Sequence, residues 1–348
     1  MIGQRAATSR IAVVGGGLIG LFTAVYLREA GHAVDLFDSR DLVAEASWAG
    51  GGIISPLRPW HEPESVWTLA RRGMYLVEHW SKRLLAAGID VEYQRSGMRV
   101  YDEVDIIQAW CREQAVECSV ASESSVFLPW VSQVRTNRYG RAVVRYAQSL
   151  GVRLFPWTPV RTLTPRKDST TLSFDGAVRS FDAAVVTAGA WSSSVMDSAG
   201  LTLDVRPVRG QMLQLGASRH SDLDTIRQHR GAYAIPRRDG SVIVGSTLEH
   251  AGYDRLPTSD GMRQLLDAVD AIVPDASERP VLAQWAGLRP WAARPEPIIG
   301  QHPVSPSLWL NTGHFRNGVT LAAASAEHLE AVMAGRAAPQ PAFAIDSA

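Results

Sequence analysis

The sequence predicts an α/β protein of two interleaved domains, one built on a Rossmann-like parallel sheet and the other on an antiparallel sheet. Three observations carry this expectation. A strand–glycine–helix–strand run occupies residues 10–38, a second apolar strand ends in glycine within 181–195, and short alternating strands lie between that strand and the C-terminal region.

The first run reads RIAVVGGGLIGLFTAVYLREAGHAVDLFD. Residues 10–14 are an apolar strand, 21–30 have helical apolar spacing and end at Gly31, and 33–37 form the next strand, closed by Asp38. Gly15, Gly17 and Gly20 stand as G-x-G-x-x-G. Gly15 makes the tight turn, Gly17 lets backbone approach a pyrophosphate, and Gly20 lets the helix lie close to the strand. The helix N-terminus offers unpaired N–H groups to phosphate. Asp38, about 20 residues on, is placed to accept from ribose hydroxyls and would repel a 2′-phosphate, which disfavours NADP.

Two further segments narrow the dinucleotide. AEASWAGGGIISP (44–56) carries three consecutive glycines in an apolar setting, where something flat or bulky passes close to backbone. FDAAVVTAGAWSSSV (181–195) is a strand ending at Ala188-Gly189-Ala190-Trp191. A second glycine-ended strand returning to the dinucleotide this late suits a flavoprotein rather than an NAD enzyme.

With VRPVRGQML (205–213), AYAIPRRDGSVIVGST (232–247), WAGLRPWAARPEPIIGQHP (285–303) and GHFRNGVTL (313–321), these stretches resemble the D-amino-acid-oxidase superfamily of FAD amine oxidoreductases, and within it the glycine-oxidase type. The resemblance spans almost the whole chain and is loose over 102–135. The chain departs from the family at Leu321-Ala322-Ala323, where a proline is frequent, and at Ala292-Ala293-Arg294-Pro295-Glu296, where an acidic or glycine pair is frequent.

The resemblance implies a glutathione-reductase-type FAD domain. FAD would be met by Gly15, Gly17, Leu18, Ile19, Gly20, Asp38, Ser39 and Arg40, by Ser47, Trp48, Ala49, Gly50, Gly51 and Gly52, by Val160, Ala188, Gly189 and Trp191, and by Arg289, His314, Phe315, Arg316, Asn317, Gly318, Val319 and Thr320. It implies that the 314–318 segment runs beside the isoalloxazine ring, with the last helix directing its positive end at the edge that gains negative charge on reduction. Gly318 would leave room for the ring.

An amino-acid oxidase must hold a carboxylate, and a guanidinium does this with two parallel charge-assisted bonds. The resemblance assigns that role to Arg289, helped by the Tyr233 hydroxyl, with Arg316 as a second cation on the substrate side. Leu248 and Ile53 would line the side-chain end. The implied reaction is hydride transfer from the Cα of glycine, sarcosine or a small D-amino acid to flavin N5. O2 then restores the flavin and gives H2O2, and the imine hydrolyses to a 2-oxo acid plus ammonia or amine. Neither Cys111 nor Cys118 lies in the segment where related sarcosine oxidases attach FAD, so the flavin is expected to be non-covalent. A thiamine-pathway role is implied by the same resemblance. The alternatives are a D-amino-acid dehydrogenase passing electrons to a quinone, an oxidase of a bulkier or N-methylated amine, and an inactive flavin-binding scaffold. Arg289, Tyr233 and Arg316 oppose the last.

The chain of 348 residues is 46% hydrophobic, enough for a sizeable core. Lys plus Arg and Asp plus Glu are both 35, so no net charge points to nucleic acid or an anionic membrane. The two cysteines have no nearby histidine, which argues against a zinc cluster or disulfide framework and for cytoplasmic thiols; no metal is expected. The apolar run 11–27 is glycine-rich and lacks a cleavage site, so neither export nor a membrane span is expected. A homo-oligomer is left open. The expected boundaries are 10–80, 136–204 and 285–340 for the FAD domain and 81–135 and 205–284 for the substrate domain, with flexible tails at 1–9 and 341–348. A hairpin at Arg238-Asp239-Gly240-Ser241 marks the antiparallel sheet.

Overall fold

The computed structural model describes residues 8–345, apart from 123, 219–222 and 274. Two large sheets dominate it. The first runs, edge to edge, through Ile298–His302, Ser305–Thr312, Ala183–Val186, Arg10–Val14, Ala33–Phe37 and Arg153–Phe155. All neighbours are parallel except the first pair. Its central strands are apolar on both faces, as a sheet covered on both sides requires. The second has eight strands, in the order Val281–Ala292, Val205–Leu215, Val242–Gly245, Ala232–Pro236, Ile226–His229, Met98–Val100, Ser125–Leu128 and Ser119–Ser122. It is antiparallel except where Ile226–His229 meets Met98–Val100.

The first glycine motif behaves as its spacing predicts. The strand Arg10–Val14 leads into the helix Leu18–Glu29, which stops before Gly31, whose φ of +99° suits a residue without a Cβ. The expected hairpin forms as well: Ala232–Pro236 pairs with Val242–Gly245, and Gly240 turns with φ +79°.

Two expectations are corrected. Residues 285–292, assigned to the FAD domain, belong to the antiparallel sheet, because Val281–Ala292 pairs along its length with Val205–Leu215. The parallel sheet resumes only at Ile298. The tail expected from 341 is anchored through 345. Pro341–Phe343 forms a 3-10 turn that buries the Phe343 ring in the main core, edge-on to His328, and Arg294 Nη2 donates to the Ala344 carbonyl at 2.7 Å. Residues 1–7 and 346–348 lie outside the described residues.

The main core is made where the two ends of the chain meet. The helix Leu18–Glu29 packs against the closing helix Gly318–Met333, which in turn packs on the long helix Glu64–Ala86. The closing helix buries an almost unbroken run, 320–326, and its alanines let the three helices approach closely. Phe22, Trp80 and Tyr139 fill the remaining space, with Phe22 and Trp80 edge-to-face at 5.4 Å. Among the described residues, no helix is long and apolar enough to cross a membrane.

Gly73 marks the closest approach of the long helix, because a Cβ there would overlap the Thr320 carbonyl at the start of the closing helix. Gly73→Ala is expected to lower stability by about 1–3 kcal/mol, whereas Gly300→Ala, with nothing within 4 Å of the added carbon, should stay within about 0.5 kcal/mol of the parent. Denaturant midpoints of the two variants measured side by side check this.

Candidate active site

The site begins at the end of the strand Arg10–Val14. Gly15 has φ +120°, and a Cβ on it would run into the Thr187 carbonyl; a Cβ on Gly20 would run into the carbonyl of Gly15. Thr187 Oγ1 donates to the carbonyls of Val14 (3.1 Å) and Gly15 (2.9 Å), tying the glycine turn to the neighbouring strand. Asp38 closes the loop from the other side: Oδ2 accepts from Gly16 N at 2.6 Å and Oδ1 from Arg40 N at 2.8 Å. Burial raises its pKa, partly offset by these two bonds. A carboxylate has about four acceptor positions, so each Asp38 oxygen keeps one for a ligand hydroxyl. Ser47 Oγ accepts from Leu18 N at 2.9 Å.

A cavity of about 400 Å³ runs from this turn to the antiparallel sheet. The expected residues that line it are Gly15, Gly17, Ile19, Asp38, Ser39, Arg40, Ser47, Ala49, Gly50, Gly51, Gly52, Val160, Ala188, Gly189, Trp191, Tyr233, Arg289, His314, Phe315, Arg316, Gly318 and Val319. Ile53 lines it too. Five expected contacts do not. The Leu18 side chain is in the core, and Gly20 faces the Gly15 carbonyl. Trp48 stands outside, 42% exposed, edge-to-face on Trp285 at 6.0 Å. Asn317 Nδ2 donates to Glu62 Oε1 at 3.0 Å, and Thr320 Oγ1 turns to the Ile53 carbonyl at 3.4 Å. Leu248 is half exposed and outside the cavity.

The glycine run 50–52 is shaped by the protein as well as by the cavity. Gly52 has φ +80° and leaves no room for a Cβ beside the Val134 carbonyl. Arg237 fixes the run: Nη2 donates to the Gly51 carbonyl at 2.6 Å and Nη1 to Gln133 Oε1 at 2.8 Å and the Val134 carbonyl at 3.2 Å. Burial, reinforced by the charge of Arg135, pulls the Arg237 pKa down to about 10. Its position in the sequence gave no hint of this partner, which lies 186 residues away.

At the opposite wall, Arg289 is half-buried, facing the cavity, and makes no ion pair with any described residue. Its Nη1 donates to the Thr247 carbonyl at 3.1 Å and reaches the Arg209 carbonyl at 3.5 Å. Burial lowers its pKa, Tyr233 acts in the opposite sense, and the charge of Arg316 adds to the lowering. Gly210 makes room for the guanidinium, since a Cβ there would overlap it. Gly287, directly opposite Gly210 in the strand pair, makes room for Ala49. These two mid-strand glycines were the available signal for residues that sequence reasoning passed over. Tyr233 is buried beside Met212, to whose sulfur its hydroxyl lies at 3.4 Å. Arg316 is exposed at the cavity wall.

His314 is 3% exposed, and neither ring nitrogen has a hydrogen-bond partner. Burial pushes its pKa down to about 3, so the ring is neutral. Phe315 N donates to the Pro290 carbonyl at 3.0 Å, and its left-handed φ of +45°, uncommon outside glycine, turns the loop into the closing helix. That contact ties the 314–318 loop to the strand carrying Arg289.

Residues 10–331 match the family described as DAO, FAD dependent oxidoreductase. The chain belongs to this family. Glycine oxidase of Pseudomonas putida is 36% identical over 349 residues, covering 94% of this chain and 95% of that protein. Glycine oxidase of Pseudomonas aeruginosa is 37% identical over 350 residues, covering 94% and 96%. The crystal structure of glycine oxidase from Geobacillus kaustophilus shares the fold, with a TM-score of 0.91 at 23% identity over 97% of this chain and 99% of that one.

The cavity of this FAD-dependent oxidoreductase fits its cofactor. The glycine turn and helix N-terminus offer backbone donors at one end, and His314 keeps two unanswered ring nitrogens at the wall near the other. Gly318 opens the closing helix, and a Cβ there meets only His314 Cβ, at 3.8 Å. Gly318→Val should therefore fold with a near-parent melting temperature but purify without the yellow of bound FAD. A fully yellow variant would remove Gly318 from the site.

Proposed function

We infer that this enzyme oxidatively deaminates glycine or a related small amino acid, with O2 as final oxidant. The observation that carries the reading is Arg289, a largely desolvated guanidinium at the cavity wall with no carboxylate partner among the described residues. Such a charge is costly to bury alone and is matched by a ligand carboxylate. The glycine oxidases of the two Pseudomonas species, similar to this chain over nearly its whole length, support the same substrate class.

In this reading Arg289 holds the substrate carboxylate, the Tyr233 hydroxyl adds a donor, and Arg316 contributes a second positive charge from the rim. Together they fix the Cα of a small amino acid within a largely apolar cavity, where orientation lowers the barrier. FAD, when bound, supplies the hydride acceptor and is restored by O2 with release of H2O2. The residues proposed to meet it are the cavity-lining set above, with Asp38 facing the ribose and the N-terminal end of the closing helix facing the isoalloxazine edge. His314 is a poor base, because its conjugate acid loses its proton near pH 3. The amine therefore reacts in its neutral form after losing a proton to solvent, and kcat/KM should rise with pH toward the pKa of the amine.

FAD is proposed to be held without a covalent bond. Neither Cys111 nor Cys118 lines the cavity; both pack with Met98, Val126 and Trp110. Acid precipitation should leave the yellow colour in the supernatant. Arg289→Ala should lower kcat/KM for glycine on the order of a hundredfold or more while the protein stays yellow. Anaerobic glycine that bleaches the parent and the variant at equal rates would refute the assignment of Arg289.

A further inference from the structure

The run Gly50-Gly51-Gly52 is held through its carbonyls. Thr136 Oγ1 donates to the Gly50 carbonyl at 2.8 Å, Arg237 Nη2 to the Gly51 carbonyl at 2.6 Å and Val134 N to the Gly52 carbonyl at 2.9 Å. None of these three donors belongs to a residue that lines the cavity. The N–H groups of Gly51 and Gly52 have no acceptor among the described residues, although both glycines are buried and line the cavity. A trans peptide is planar and sets its N–H opposite its carbonyl, so the bond from Arg237 turns the Gly52 N–H away from Arg237. A buried N–H that the protein leaves unanswered is costly, and a ligand acceptor answers it.

Arg237 is rigidly mounted for this contact. It follows the strand Ala232–Pro236, whose alternation puts Tyr233, Ile235 and Arg237 on one face. That face meets the glycine run, since a Cβ on Gly51 would press on the side chains of Ile235, Tyr233 and Met212. The run therefore lies at the end of the cavity that carries Tyr233. The hairpin fixes the Arg237 backbone: its N donates to the Ser241 carbonyl at 2.8 Å, and its carbonyl accepts from Gly240 N at 3.0 Å. The fork itself meets only neutral acceptors, the Gly51 and Val134 carbonyls and Gln133 Oε1, and Nε is buried without a partner. The carboxylates nearby are taken by other cations, Glu92 by Arg135 and Arg138, and Asp239 by Arg135. Burial pulls the Arg237 pKa only to about 10, so the group is charged at neutral pH and stands behind the Gly51–Gly52 peptide without an ion pair.

We propose that Arg237 is a positioning residue for the flavin: by gripping the Gly51 carbonyl it aims the Gly52 N–H into the cavity as a donor to the isoalloxazine ring, and its unpaired charge, acting through that peptide, favours the reduced, negatively charged ring. This rests on the placing of the isoalloxazine against the glycine run in the reading above. A preorganised donor of this kind acts where charge develops and needs no rearrangement as it does so. The effect falls on the electron affinity of the flavin and not on the binding of the amino acid.

The test uses the FAD-loaded enzyme without any amine. Sulfite is the probe: it adds through its sulfur lone pair to flavin N5, with no leaving group, and leaves a negative charge on the ring that bleaches the visible spectrum. The midpoint potential against a reference dye is the second readout. Arg237→Met should stay yellow, bind sulfite about tenfold more weakly, within the range of coupling between groups of one network, and show a potential lower by about 30 mV, the same tenfold for a two-electron couple. Arg238→Met removes a cation one residue along, one that pairs with Asp90 at the surface at 2.7 Å, and should match the parent in both readouts. Arg237→Met with parent sulfite affinity and potential would overturn the proposal, and so would an equal shift in Arg238→Met, which would make the effect one of general charge. If Arg237→Met fails to fold or to keep FAD, Arg237→Lys carries the test. It keeps the charge without the planar fork and should bind sulfite severalfold more weakly; parent-like binding would again overturn the role of Arg237. Neither readout involves an amino acid, so the amine-oxidase reading is judged separately, by whether glycine bleaches the parent, and the placing of the flavin by whether Gly318→Val loses its colour.

Discussion

A guanidinium held at the cavity wall without a counter-charge is the condition around which this part of the antiparallel sheet is arranged. Desolvating such a group is expensive, and the structure answers with partial charges in place of a full one: two backbone carbonyls reach Arg289, and the Tyr233 hydroxyl works in the same direction. The opposed glycines Gly210 and Gly287 thin the cavity face of the strand pair, where the guanidinium lies over one and Ala49 over the other. Glu249, whose charge is felt at Arg289, lies on the opposite face of the sheet and is engaged by other donors. Every one of these features would be superfluous if Arg289 were a structural arginine in an ordinary ion pair.

The opposite wall follows a different rule, because it is made of backbone. The turn at Gly15, the helix beginning at Leu18 and the glycine run 50–52 present backbone groups and bare Cα atoms to the cavity, and neighbouring side chains hold them in place. Asp38, Ser47, Thr187 and Arg237 each bond a main-chain group of these segments. The two walls are joined directly by Phe315 N on the Pro290 carbonyl and by Trp285 Nε1 on the Ala49 carbonyl at 3.0 Å. A shift of the strand carrying Arg289 is thereby carried to the loop carrying His314.

What was legible in the sequence was mostly local. The G-x-G-x-x-G turn, its flanking strands, the Gly31 stop and the hairpin at Gly240 depend on residues within one or two turns of one another. Resemblance supplied Arg289, Tyr233, His314 and the 50–52 run, which the fold brings to one cavity. The remainder was set by partners far along the chain. Asn317 reads as a flavin-facing residue until Glu62, 255 positions away, takes its amide. Trp48 sits in a glycine-rich segment but turns outward onto Trp285. Residues 285–292 read as part of the FAD domain because the pairing of Val281–Ala292 with Val205–Leu215 is a matter of register, which no local pattern in WAGLRP reveals. Arg237 and Gly210 escaped for the same reason.

The parallel sheet takes its strands from residues 10 to 312, and the helix that covers its first helix comes last in the chain. This has a consequence for biogenesis. During synthesis the N-terminal strand–helix–strand unit emerges early, with the apolar faces of Phe22 and Val25 uncovered, and it cannot be sealed until the final helix has left the ribosome. Contacts of such sequence separation make folding slow and predominantly post-translational. The nucleotide-binding floor is completed only once residues 318–333 have emerged to cover it.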